Sequence, residues 1–76
     1  MTERYMRWQR ETRYYEVRTY RDLLGDMVLS KIWGRIGSPL GSSVSQVNVS
    51  ESEIDVLIQQ IDNRRQKRGY ELVKTL

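Results

Sequence analysis

The chain has 76 residues, with thirteen Lys and Arg against ten Asp and Glu for a net charge of +3, and neither Cys nor His. That length holds one domain with a small core, burying about 60% of the surface that the unfolded chain exposes. Without thiols or imidazoles a disulfide and a structural zinc are excluded, and the acids are scattered rather than grouped as a metal site requires.

No segment has the apolar run of a signal peptide, and none approaches the roughly 20 apolar residues of a membrane span. The expectation is a soluble, cytoplasmic protein with no cofactor and no membrane partner, a monomer or a weak homodimer. Charge is unevenly placed. Residues 1 to 21 hold six Arg against three Glu, and residues 64 to 76 hold Arg64, Arg65, Lys67, Arg68 and Lys74 against Glu71 alone. Between them only Lys31 and Arg35 are cationic, against six acids. Ten of the thirteen cations are Arg, whose planar fork suits phosphate and aromatic partners.

In chain order, Arg4 to Arg10 alternates with Met6 and Trp8 on one face, which predicts a half-buried edge strand. Glu11-Thr12 reads as a turn. Arg13 to Tyr20 is a second strand, with Tyr15 and Val17 facing opposite to Tyr14, Glu16 and Arg18. The polar break from Arg21 to Asp26 contains Gly25 and predicts a hairpin loop, with Asp22 and Asp26 serving turn chemistry rather than a metal. Met27 to Ile36 is a third strand, ending where Gly37-Ser38-Pro39-Leu40-Gly41 forbids regular structure.

Residues 36 to 50 carry no charge, and Ser42 to Val49 alternates small polar residues with Val as a fourth strand does. Ser50-Glu51-Ser52-Glu53 is a capping box. The helix it starts places Ile54, Leu57, Ile58 and Ile61 on one stripe, with Asp55, Gln59, Asp62 and Asn63 opposite. Arg64, Arg65, Lys67 and Arg68 suit its C-terminal dipole, Gly69 supplies a left-handed cap, and Tyr70 to Val73 has the length of a last strand. The expected fold is α+β: a small antiparallel sheet of four to five strands with one amphipathic helix packed on it.

Within the third strand Lys31, Trp33 and Arg35 share a face, while Gly34 points away and admits a close neighbour. A ring flanked by cations suits a flat anionic partner: Arg takes phosphate bidentately and Trp packs on a sugar or base. Catalysis finds no support. The serines from 38 to 52 have no His as base, and Gly37 to Gly41 leads into a strand rather than the helix of a phosphate loop.

In this order the motifs resemble the WGR domain. The resemblance rests on Tyr14-Tyr15-Glu16-Val17, the Leu23-Leu24-Gly25 loop, Val28-Leu29 leading into Trp33-Gly34-Arg35-Ile36-Gly37, and a helix ending in Lys67-Arg68-Gly69-Tyr70, covering residues 5 to 73. Gly37-Ser38-Pro39 is more similar to bacterial members, including those like molybdate-metabolism regulators, than to the animal enzymes.

The resemblance implies a nucleic-acid-binding module and not an enzyme. In DNA-dependent poly(ADP-ribose) polymerases the similar domain binds near strand breaks, the motif Trp on the terminal sugar and the motif Arg on nucleic acid and neighbouring domains. Those roles fall on Trp33 and Arg35, the terminal phosphate on Thr12 and Arg13, and a backbone contact on Arg65 or Lys67. Thr12 stands where the polymerases have a longer amide. Gly34, Gly37, Gly69 and Tyr70 are expected to serve the fold. DNA is the expected partner, without sequence preference; the alternative is a protein-interaction module using the same surface, since Trp and Arg also dominate protein hot spots.

Overall fold

A computed structural model describes residues 3–76. The strands are β1 (Arg4–Arg10), β2 (Arg13–Arg21), β3 (Met27–Arg35), β4 (Gly41–Val47) and β5 (Glu71–Thr75), with the helix α1 (Glu51–Lys67) between β4 and β5. All pairings are antiparallel and the order across the sheet is β4-β3-β2-β1-β5. The α+β class read from the sequence is the one observed.

The β2–β3 turn follows from its side chains. An Asp22 carboxylate oxygen accepts from the backbone N–H groups of Leu24 and Asp26 at 3.0 and 2.9 Å, and Gly25 takes a φ of +86°. A five-residue loop from Asp22 to Asp26 then opposes Arg21 to Met27 and sets the register down the hairpin, Tyr15 against Trp33 and Arg13 against Arg35.

One sheet face carries Met6, Trp8, Val17, Met27 and Leu29, all buried beneath Ile54, Ile58 and Ile61 of α1. The capping box is present, with Ser50 Oγ accepting from Glu53 N–H and Glu53 Oε1 accepting from Ser50 N–H, both at 3.2 Å. The predicted stripe is correct except that Leu57 is only half-buried. Asp62, expected on the solvent face, instead accepts from the Trp8 indole N–H at 3.0 Å. A buried indole needs a partner for its one donor, and the helix margin supplies it.

Three further expectations are corrected. β1 is not an edge strand: α1 ends, the chain reverses, and β5 pairs with it, Tyr5 and Leu76 exchanging backbone hydrogen bonds of 3.1 and 2.8 Å. Alternation reports one buried face and carries no information about lateral neighbours. β4 stops at Val47, because Asn48 adopts a φ of +65° and swings Val49 into the core, where its N–H donates to the Met27 carbonyl. β5 starts one residue later than expected and runs to Thr75.

On the opposite face Glu16 accepts from the Tyr5 hydroxyl and from Arg7 Nη1, both at 2.6 Å. Burial pushes the Glu16 carboxyl up, but these hydrogen bonds and the Arg7 charge outweigh it and hold the carboxyl below the ordinary value of 4.5. Glu16 therefore contributes stability at and above pH 4.5 that is lost as pH falls through the lower folded value. Thermal melts between pH 6 and about 2.5 are expected to show a loss below the ordinary Glu range that is smaller in Glu16→Gln.

Candidate nucleic-acid interface

The helix does not cover the whole face. Lys31, Trp33 and Arg35 continue the line of Met27 and Leu29 along β3, beyond the packed core, and with β2 and the last turn of α1 they form a cleft of about 650 Å³. Its lining includes the cations Arg13, Lys31, Arg35, Arg65 and Arg68, the aromatic residues Tyr15, Trp33 and Tyr70 on this face with Tyr14 on the opposite one, and no acid. An adjoining cavity of about 500 Å³ shares Tyr15, Lys31 and Arg65 and adds Arg64, again without an acid.

An aromatic ladder crosses the sheet from core to cleft. Trp8, Tyr15 and Trp33 are register neighbours on β1, β2 and β3. Tyr15 meets Trp8 edge-on at 6.1 Å and stacks on Trp33 at 5.9 Å with 13° between planes. Trp8 is fully buried whereas Trp33 is 37% exposed. The core tryptophan of this fold is thus Trp8, and Trp33 leaves part of its side chain open to the cleft. Burial raises the Tyr15 phenol above its ordinary value against the pull of Arg65 and Arg64, so the stack stays uncharged at neutral pH.

Arg65 is the least ordinary of the cations. The helix ends in a Schellman motif, Tyr70 N–H donating to the Arg65 carbonyl at 2.9 Å and Gly69 N–H to that of Gln66 at 3.0 Å, with Gly69 at a φ of +84°. That reversal brings the Tyr70 ring to Arg65, whose guanidinium lies 5.0 Å from Tyr70 and 4.3 Å from Tyr15. Arg65 is 9% exposed and its Nε has no hydrogen-bond partner. The rings offset part of the desolvation of the charge, and no described acid neutralises it.

Arg13 and Arg35 face each other directly across β2 and β3, and Arg13 also opposes Arg10 on β1. Like charges in such pairs cost stability, up to about 1 kcal/mol each. Arg10 Nη1 donates to the Arg68 carbonyl at 2.8 Å, and none of the three guanidiniums has a described ion pair.

Of the residues singled out in the sequence, Trp33, Arg35, Lys31, Arg13 and Arg65 come together in the cleft. Thr12 and Lys67 do not line it. Thr12 sits exposed in the β1–β2 turn, where its carbonyl accepts from Ile36 N–H at 2.7 Å and anchors the end of the Trp-Gly-Arg strand. Lys67 is exposed, and Arg68, not singled out, takes the place beside Arg65. Tyr15 and Tyr70 pack against the core and also form walls of the cleft. The hairpin register was the available signal for Tyr15.

Gly34 faces away from the cleft, as expected. A Cβ there would stand 3.2 Å from the Leu40 carbonyl oxygen and the Tyr14 hydroxyl and 3.3 Å from Gly41 Cα. Its close neighbours are β4 and the Tyr14 ring on the far face. Gly34→Ala is expected to cost about 1–2 kcal/mol by urea unfolding, since two of the three close atoms are backbone. Gly37 has a φ of +85° with open space around it, and serves the turn after β3.

No family model, curated protein or solved structure matches this chain. Among the described residues no group of three or more acids could hold a metal, and no helix is long and apolar enough to cross a membrane.

Proposed function

We propose that the protein is a non-catalytic, WGR-like module that binds DNA or a similar phosphate-rich nucleic acid without sequence preference. The observation that carries the reading is the composition of the cleft: five cations and the rings of Tyr15, Trp33 and Tyr70 converge on one opening with no acid among them. Phosphates are matched by Arg13, Lys31, Arg35 and Arg68, a base or sugar by the open face of Trp33 backed by Tyr15, and the charge of Arg65 lends the rear wall its sign. Stacking on an aromatic face is worth about 1–3 kcal/mol per base and is indifferent to base identity. The cleft holds none of the Asn, Gln or acid side chains that read adenine and cytosine edges. The order of landmarks shared with WGR domains supports the same reading, as does the Gly37-Ser38-Pro39 form that suggests a bacterial type.

Fluorescence anisotropy with nicked, blunt and single-stranded DNA across a salt series tests it. Three to five phosphate contacts give a log–log slope of about −2.7 to −4.5 on duplex DNA. Binding that is absent, or that does not change with salt, would remove the proposal.

A further inference from the structure

The two edges of the sheet differ. β5 carries Glu71 and Lys74, and its ladder with β1 shifts register between Arg7 and Trp8. Charges and bulges of this kind keep an edge from pairing with another chain. β4 has neither. All of Gly41–Val47 is exposed, its ladder with β3 runs unbroken from Val28–Val47 to Gly34–Gly41, and no charged side chain lies between residues 36 and 50. Two copies of a molecule of net charge +3 with a cationic cleft repel one another over much of their surface. Along β4 they do not.

We propose that β4 pairs antiparallel with β4 of a second copy about a two-fold axis at Val44, joining two sheets into one of ten strands. Val44 is the middle residue of the strand, so this register overlaps its whole length. It sets Gly41 against Val47, Ser42 against Gln46, Ser43 against Ser45 and Val44 against itself, and opposes no like charges. The interface is isologous, closing after two copies. Val44 and Val47, 52% and 58% exposed in the single chain, gain cover.

Because the axis is perpendicular to the sheet, both helices and both clefts fall on one face. Lys31 and Trp33 lie on β3, one strand in from β4. Lys31, the register partner of Val44, is then three strand spacings, roughly 14 Å, from its copy, beyond the screening length of about 10 Å at 0.1 M salt. Val44 lines the cleft, so the two clefts meet at the axis and present one continuous cationic surface. A single pair of strands buries less than the roughly 1,200 Å² of a stable complex, and the association is weak.

Sedimentation of the full chain up to about 1 mM, where a contact of this size is populated, is expected to show a monomer–dimer equilibrium. Val44→Lys and Val44→Glu each set two like charges across the axis, and each alone is expected to stay monomeric with an unchanged circular dichroism spectrum. Their equal mixture opposes unlike charges and is expected to dimerise again. A wild-type chain that is monomeric at about 1 mM would overturn self-pairing and leave the edge to a strand of another protein. A mixture no more associated than either variant would overturn the register.

Discussion

Trp8→Ala is expected to leave the domain largely unfolded at 37 °C, whereas Trp33→Ala melts close to the wild type. Trp8 is fully buried among Met6, Val17, Leu29 and the helix stripe, and truncating such a side chain costs about 3–5 kcal/mol. A chain of 76 residues has only about 4–11 kcal/mol of total stability. The bond from the indole to Asp62 is lost as well. For a domain of this size each kcal/mol moves Tm by about 4–8 °C, so the two substitutions separate by well over 10 °C in a thermal melt followed by circular dichroism. Equal losses for the two would contradict the assignment of Trp8 to the core and Trp33 to the site.

Trp33→Ala combined with Arg35→Glu is expected to weaken DNA binding by about 30-fold or more, one stacked face and one cationic contact being lost at about 1–3 kcal/mol each. Stability is expected to move the other way for Arg35→Glu alone. Arg35 opposes Arg13 across the hairpin, and the substitution turns a like-charge pair into an opposite-charge one, with a gain of up to about 1 kcal/mol. Weaker binding together with a higher Tm in the Arg35→Glu single variant excludes unfolding as the cause there. It is also the exchange of stability for function that a surface kept for a ligand displays.

The binding half of that experiment depends on elements that were legible in the sequence to different degrees. The β2–β3 hairpin was readable, because Asp22, Gly25 and Asp26 mark its turn and the loop length determines which residues oppose each other. The capping box and Gly69 likewise marked the ends of α1. The position of α1 on the sheet was not readable. Helical periodicity identifies the stripe of Ile54, Ile58 and Ile61, while the crossing is set by how that stripe fits Met6, Trp8, Val17 and Leu29.

Two consequences followed. Asp62 was assigned to solvent although it reaches the Trp8 indole, and Arg68 was passed over although the end of α1 brings it to the cleft. Lys67, one residue earlier, points elsewhere because each helical residue turns by about 100°. The placement of β5 beside β1 was equally hidden, since its first register partners lie more than 60 residues apart in the chain, as in Gln9 with Glu71. Long-range pairing leaves no local signature.

Nucleic acid is expected to enter the cleft and no other face. Amide and indole NMR spectra of the ¹⁵N-labelled chain, recorded while a short nicked duplex is added, test this most directly. The expected result is a set of shifts at Arg13, Tyr15, Lys31, Trp33, Arg35, Arg65 and Tyr70, with the Trp33 indole moving and the Trp8 indole still. Shifts centred instead on Tyr5, Arg7 and Arg18 of the opposite face, or no shifts at all, would contradict it.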